Sequence, residues 1–158
     1  MPPAMLIDLN SLDLDTLEFG QEEIRKRNPQ RFEMEFLTGV IAYLPDDGLI
    51  VGESRIPKDA FWIRGHIPGR PIFPGVLIVE TAAQLCSFYW QMGFSEKNKF
   101  FGFGGIENTR FRATVVPGDR LIVVAKTVQI RTRRAIFDVQ AFKDDVMVFE
   151  GRLIGLPV

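Results

Sequence analysis

The stretch VLIVETAAQLCSFYW, residues 76–90, decides the fold of this chain. It contains neither Gly nor Pro, and it places apolar side chains on nearly every side of about four helical turns. A helix that is apolar all round is a buried helix. We therefore predict one long helix at the centre of the molecule, with Glu80 as the acidic side chain within it.

Segments on both sides of this helix have the alternation and the turn signals of β-strands. Before the helix, residues 32–44 start with apolar and acidic residues in alternation, and a turn at 45–48 leads into a second strand at 49–56. After the helix, about four strands are expected from segments with Pro-Gly or charged turns between them: residues 100–105 and 106–116, then 121–131, 135–143 and 146–153.

One long helix among antiparallel strands predicts an α+β domain in which the sheet curves around the helix. The 158 residues fit one domain, which we expect over residues 21–158, after an arm of residues 1–20 that lies on a surface. Residues 21–27 predict a short helix with acids at its start and bases at its end. A single sheet leaves an open edge, and edge pairing between two copies would cover it, which predicts a dimer.

The composition excludes several classes of function. With 19 basic and 20 acidic side chains the net charge is −1, so no overall field attracts nucleic acid or an anionic membrane. No segment reaches the roughly 18 apolar residues of a membrane span, and the first residues lack the pattern of a secretion signal. We therefore expect a cytoplasmic protein without membrane insertion. One His and one Cys fall short of a metal-ligand set, so no metal is expected.

The densest motif is GHIPGRPIFPGVLIVE, residues 65–80, which contains His66, the only His of the chain. Pro fixes φ and Gly permits close approach or positive φ, so the segment holds one backbone path ahead of the helix. A single His is most often a structural or surface residue. Rigid placement is nevertheless what a general base needs.

Glu80 is the second candidate, because a carboxyl in so apolar a helix needs a partner or else a raised pKa. Gln84 lies four residues on, on the same helix face, and can satisfy the carboxyl as a purely structural pair. The same hydrogen bond would also orient the carboxyl toward a substrate. The helix start at Gly75 offers unpaired N–H groups to an oxyanion. His66, Glu80 and Gly75 together fit the removal of a proton α to a carbonyl while a hydroxyl leaves.

The segment GHIPGRPIFPGVLIVETAAQ, residues 65–84, resembles the signature of the hot-dog-fold 3-hydroxyacyl acyl-carrier-protein dehydratases. Residues 105–119 and 22–26 are similar to the second block and the N-terminal helix of that family, so the resemblance covers roughly residues 21–156. The first strand departs from the family pattern. Thr38-Gly39 replaces an Asp-Arg pair, and Glu33 and Glu35 stand where apolar residues are usual.

The resemblance implies a hot-dog fold, in which an antiparallel sheet wraps one long buried helix and two subunits join through their sheet edges. Each active site at the interface would take His66 from one subunit as the base and Glu80 from the other as the acid. The Gly75 N–H would bind the thioester oxygen, with Gln84 beside Glu80. The implied reaction converts a 3-hydroxyacyl group on the phosphopantetheine of acyl carrier protein to a trans-2-enoyl group, in fatty acid or related biosynthesis, without a further cofactor. A trimer of dimers is common in the family.

An acyl tunnel and a dock for the carrier protein are further expectations. The tunnel candidates are large apolar residues near the motif, on the helix and on the following segment: Trp62, Phe88, Phe101, Phe103 and Phe111. Plain core packing is the competing interpretation. The docking candidates are clustered bases that suit an acidic partner or the phosphopantetheine phosphate: Arg110, Arg112, Arg131, Arg133 and Arg134. The competing interpretation for these is a solvated turn or strand edge.

Two other functions stay open at this point. Hot-dog folds also host acyl-thioester hydrolases, which release a free thiol, although the Pro-Gly segment between His66 and Glu80 suits dehydration better. The altered first strand also permits a non-catalytic subunit that binds acyl chains or completes a heterodimer. The presence of both His66 and Glu80 argues against that third function.

Overall fold

A computed structural model describes residues 3–95 and 98–158, so the first two residues of the expected arm lie outside the described residues. The helices and strands of these ranges are α1 Gln21–Arg25, β1 Gly39–Leu44, β2 Leu49–Arg55, α2 Gly75–Gly93, β3 Phe101–Phe111, β4 Arg120–Arg131, β5 Arg134–Lys143 and β6 Val146–Pro157. Short 3₁₀ turns lie at Leu9–Ser11, Phe32–Met34 and Pro45–Asp47. The expected order of two strands, one long helix and then four strands is confirmed.

The described strands form one six-stranded antiparallel sheet in the order β1-β2-β4-β5-β6-β3. Tight hairpins join β4 to β5 and β5 to β6, with Arg131 opposite Arg134 and Lys143 opposite Val146. β3 follows the long helix in the chain and pairs with β6. β3 is therefore one of the two edge strands of the sheet, with a hydrogen-bonding side that no described strand covers.

α2 is the centre of the hydrophobic core. It packs against one face of the sheet, with contacts to β2, β3, β4 and β5. Leu85, Phe88 and Trp90 are completely buried. Each large apolar side chain buried in this way contributes about 1.5–3 kcal/mol to folding. The prediction of one buried central helix wrapped by an antiparallel sheet is confirmed, and this is the hot-dog arrangement that the motif implies.

The arm of residues 3–20 lies against the opposite face of the sheet. Leu9 packs with Val51, Ile122 and neighbouring apolar residues in a second buried cluster, separate from the core around α2. The Gln140 side chain fastens the start of the arm, because it accepts a hydrogen bond from the Leu6 amide at 2.9 Å and donates one to the Ala4 carbonyl at 2.8 Å. Both faces of β2 and β4 are thus buried.

The segment after α1 differs from the strand predicted to start at residue 32. Phe32–Met34 forms a 3₁₀ turn, and the strand begins only at Gly39. The Glu35 carboxylate accepts hydrogen bonds from Arg25 Nε at 2.9 Å and from the Phe32 amide at 3.1 Å, which ties the segment to α1. The prediction was wrong because the alternating acids include one that pairs with α1 and does not line a strand face.

Gln84 takes the place of a strand partner for this segment. Its Oε1 accepts hydrogen bonds from the amides of Phe36 and Leu37, at 3.1 and 3.0 Å, and its Nε2 donates to the Met34 carbonyl at 2.8 Å. The Gln84 side chain is buried in α2. One glutamine of the central helix therefore fixes the path by which the chain enters β1.

We expect Gln84→Leu to lower the free energy of unfolding by roughly 2–5 kcal/mol, because two buried amides lose their acceptor and each unpaired group costs about 1–3 kcal/mol. Urea unfolding followed by circular dichroism measures the change. Ser87→Ala is the matched control. Ser87 is buried in the same helix, but its hydroxyl has no hydrogen-bond partner in the described residues, so its removal should not lower stability. Equal stability of Gln84→Leu and the wild type would contradict the anchoring role.

Candidate active site

His66 lies in the loop between β2 and α2, and one backbone carbonyl orients its ring. Its amide donates to the Trp62 carbonyl at 2.8 Å, and its Nδ1 lies 2.7 Å from the Ile72 carbonyl oxygen. A carbonyl oxygen can only accept, so Nδ1 carries the hydrogen in this bond. In the neutral ring Nε2 is then the unprotonated nitrogen, which is the state that a general base requires.

Tertiary contacts hold this loop at both ends of the motif. The Phe73 amide donates to the Val115 carbonyl at 2.7 Å, which joins the loop to the segment after β3. The rings of Trp62 and Phe73 are both buried, with their centroids 5.3 Å apart. Gly69 has a φ of 79°, a conformation that glycine adopts at little cost. The rigid path predicted from the Pro and Gly content is thus supported by packing as well.

Glu80 lies on α2 with its carboxyl half-buried. Its Oε1 accepts a hydrogen bond from Gln84 Nε2 at 2.9 Å, the contact anticipated from their spacing. Burial raises the pKa of the Glu80 carboxyl above its ordinary value, and the Gln84 hydrogen bond lowers it by less. The carboxyl therefore keeps its proton to higher pH in the folded protein than in the unfolded chain, which is the direction that suits a general acid.

A small cavity of about 110 Å³ opens beside Glu80. Its walls come from the loop after α1, from α2 and from the two strands β3 and β6: Gln30, Glu80, Ala83, Gln84, Ser87, Phe101, Gly102, Phe103, Leu153 and Ile154. His66 is not part of this lining. Within one chain, His66 and Glu80 therefore do not share this cavity.

Gly75 is the first residue of α2, where the amides have no intrahelical acceptor. A Cβ at this position would lie 3.0 Å from the nearest atom of the Phe111 ring, so glycine lets the helix start pack directly against β3. Phe111 therefore belongs to the surroundings of the helix start.

Apart from Phe111 at the helix start, the predicted tunnel residues lie in three places. Phe101 and Phe103 line the cavity beside Glu80, as expected of tunnel residues. Trp62 instead lines a larger cavity of about 340 Å³ between residues 32–36 and 54–62. Phe88 is fully buried, with its ring centroid 5.3 Å from that of Phe19, and it lines neither cavity. These residues therefore do not line one shared cavity of the described chain, and their role in an acyl tunnel stays a prediction.

The arginines proposed for docking form two groups, not one patch. Arg110 pairs with Glu150 across β3 and β6, whereas Arg131 and Arg134 form the β4–β5 hairpin beside the other end of β6. Arg133 lies at the tip of that hairpin. On β6 the partners of Arg110 and of Phe103, the residue level with the hairpin, are Glu150 and Gly155, which lie five residues or about 17 Å apart. The Arg112 guanidinium forms an ion pair with the Glu150 carboxylate at 2.7 Å. A docking role for either group stays a prediction.

Two polar residues of the Glu80 cavity, Gln30 and Ser87, were missed from the sequence. Ser87 follows Glu80 by seven residues and so lies on the same face of α2. This spacing could have identified Ser87 from the sequence. Gln30 comes from the loop after α1, and nothing in its local sequence connects it to Glu80. Only the tertiary fold brings Gln30 to this cavity.

The described residues also bear on metal binding and on the reactivity of the one cysteine. No group of three or more His, Cys, Asp or Glu side chains suited to a metal occurs among residues 3–95 and 98–158. Burial raises the pKa of the Cys86 thiol, which therefore stays neutral as a small apolar side chain. Within the same ranges, no helix has the length and apolarity needed to cross a bilayer.

Comparison with known proteins identifies the relatives of this chain. The "3-hydroxyacyl-[acyl-carrier-protein] dehydratase FabZ" of Dichelobacter nodosus is 34% identical over 146 residues, covering 85% of this chain and 94% of the relative. The protein of the same name from Ehrlichia canis is 32% identical over 143 residues, covering 89% of this chain and 96% of the relative. The resemblance inferred from residues 65–84 is confirmed.

Similarity of fold extends further than similarity of sequence. A chain of the dehydratase heterocomplex ApeI:P from Xenorhabdus doucetiae superposes with a TM-score of 0.73 at 15% identity, covering 85% of this chain and 90% of that one. The FabA-like domain family matches residues 28–152, a range that includes His66, Gly75 and Glu80. Because this match spans most of the sequence, the chain belongs to the FabA-like domain family.

Proposed function

We propose that the protein removes water from 3-hydroxyacyl thioesters carried on acyl carrier protein and so forms trans-2-enoyl thioesters for fatty acid or related acyl chain biosynthesis. The observation that carries this proposal is the hydrogen bonding that orients the two groups, His66 through the Ile72 carbonyl and Glu80 through the Gln84 amide. Hydrogen bonding to Ile72 leaves a free basic nitrogen on His66, while burial favours the protonated form of Glu80. A ring nitrogen that can accept a proton and a carboxyl that can donate one are the two groups that the elimination needs.

The reaction starts at the carbon next to the thioester carbonyl. His66 Nε2 takes the proton from this carbon, and the electron pair of that C–H bond forms the new double bond. The ring becomes an imidazolium, which keeps its Nδ1–H bond to the Ile72 carbonyl. The Gly75 amide at the start of α2 donates to the thioester oxygen, where negative charge develops.

Glu80 completes the elimination at the next carbon. As the C–O bond breaks, the Glu80 carboxyl gives its proton to the departing 3-hydroxyl, which leaves as water. The Gln84 amide holds Oε1, so the other carboxyl oxygen is directed to the substrate. Return of the proton from the His66 imidazolium to the Glu80 carboxylate resets the enzyme for the next substrate.

The two halves of the site come together, in this proposal, when two copies of the chain pair through β3. The β3 edge presents half-exposed apolar side chains, among them Phe103, Ile106 and Phe111, next to the exposed Val76 and Ile67 near the helix start and His66. A free edge strand with such a surface favours pairing with a second strand. The proposed site therefore joins His66 and Gly75 of one subunit to Glu80 of the other. Light scattering separates a dimer from the trimer of dimers.

We expect His66→Ala and Glu80→Gln each to lower kcat/KM for a 3-hydroxyacyl carrier-protein thioester by roughly 10²–10⁴, the usual contribution of a positioned acid or base. Absorbance of the enoyl thioester measures the rate. Asp46→Asn, in the exposed turn between β1 and β2, is the control that should retain wild-type activity. Release of free thiol instead of an enoyl product would favour a thioesterase, and binding without turnover would favour a non-catalytic subunit.

A mixture of the two inactive variants tests the shared site. After subunit exchange, half of the dimers combine one His66→Ala chain with one Glu80→Gln chain, and each of these dimers has one intact site. Activity should then recover to about one quarter of the wild-type value. Recovery to no more than the sum of the two variants alone would mean that each site uses a single chain.

The pH dependence follows from the raised pKa of Glu80. Activity should fall as the pH rises through this pKa, because the acid is then deprotonated. Folding has the same sign: the protonated carboxyl stabilises the folded state fully below the ordinary value of 4.5, and this contribution is lost as the pH rises through the raised pKa. Above that pH, Glu80→Gln should unfold at a higher temperature than the wild type in scanning calorimetry. A constant difference between the two proteins at all pH values would contradict the raised pKa.

A further inference from the structure

The cavity beside Glu80 contains two buried polar atoms that lack partners. Gln30 Oε1 and Ser87 Oγ have no exposed surface and no hydrogen-bond partner among the described residues. The Ser87 residue as a whole is only 3% exposed. Both residues line the same cavity, together with the polar side chains of Glu80 and Gln84 and residues of β3 and β6. A buried polar atom without a partner is costly, so two in one small cavity require an explanation.

The helix does not satisfy the Ser87 hydroxyl, although helices commonly do so. A Ser or Thr within a helix often donates to the carbonyl four residues earlier. Thr81, six residues before Ser87 in α2, does this with a bond of 2.7 Å to the Leu77 carbonyl. Ser87 instead presents its hydroxyl to the cavity. The unpaired atoms are therefore a feature of this cavity and not of hydroxyl residues in α2 generally.

The position of the two atoms along α2 relates them to the acyl chain of the proposed reaction. Glu80, Ala83, Gln84 and Ser87 follow one helix face, and the rise of about 1.5 Å per residue puts Ser87 about 10 Å beyond Glu80. The same cavity extends along this face from Glu80 to Ser87 and Gln30. A substrate with its 3-hydroxyl at Glu80 can therefore place its remaining carbons in this cavity, beside Ser87 and Gln30.

We propose that Gln30 and Ser87 form a polar subsite that selects acyl chains with a second hydroxyl group beyond the 3-hydroxyl. This inference rests on the proposed dehydratase function. A hydroxyl is both donor and acceptor, so its hydrogen can bond to Gln30 Oε1 while its oxygen accepts from the Ser87 hydroxyl. A plain alkyl chain would displace water from both atoms and leave them unpaired. Sites of this kind discriminate against substrates that lack the hydrogen-bonding group.

The subsite is tested with matched substrates. The thioesters are 3-hydroxyoctanoyl on the carrier protein and its analogues with a second hydroxyl on carbon 6, 7 or 8. The wild type should prefer at least one analogue over the plain substrate by about tenfold in kcat/KM. Ser87→Ala should abolish this preference by slowing the analogue and accelerating the plain substrate, and Gln30→Met should reduce it. Thr81→Val removes a hydroxyl that α2 already satisfies, so this control should keep the wild-type ratio.

The outcomes separate the subsite from the reaction itself. Equal kcat/KM values for all substrates in the wild type, or an unchanged preference in Ser87→Ala, would overturn the subsite and mean that bound water alone satisfies the two atoms. If no substrate is dehydrated, the proposed function fails. Calorimetry on the wild type and Ser87→Ala then still tests the subsite, through the ratio of the dissociation constant of the plain thioester to that of its hydroxylated analogue. A tenfold ratio that depends on Ser87 supports it, and equal values overturn it.

Discussion

The arrangement of this protein depends on one constraint, which is the presence of a carboxyl group in a central helix whose other side chains are uncharged. α2 has to be covered by the sheet because most of its side chains are buried. Glu80 can be tolerated there only if it is half-buried, hydrogen-bonded and protonated more readily than usual. The same burial that makes the helix a core element therefore prepares its one acid for proton donation.

Gln84 connects this constraint to the rest of the fold. Its side chain binds Glu80 and also the backbone of residues 34–37, so one residue orients the acid and fixes the start of the sheet. Activity and stability are therefore coupled at this residue. A substitution that frees Glu80 from its hydrogen bond also frees the chain that leads into β1.

The features that could be predicted from the sequence are those with local signals. The apolar run of α2 and the Pro-Gly segment around His66 encode their conformations within a few residues, and the Glu80–Gln84 contact follows from helical spacing. The start of β1 was mispredicted because Glu35 bonds to Arg25, a contact between separate segments. Two further features depend on which strands become neighbours: the presence of Gln30 in the cavity beside Glu80, and the division of the arginines into two groups. The local sequence around these residues carries no signal for either.

The two faces of the sheet are covered by other parts of the chain, whereas the edge at β3 is not. This difference bears on how a complete site is proposed to form. α2 covers one face, and the arm covers part of the other, with Leu9 packed against β2 and β4. Neither layer extends over the outer edge of β3, whose apolar residues stay half-exposed beside the helix start. The Glu80 cavity is walled partly by β3, so the association proposed at this edge would take place beside that cavity. In that proposal, burial of the edge and assembly of the site are one event, and a subunit that remains alone has neither a covered edge nor a complete pair of acid and base.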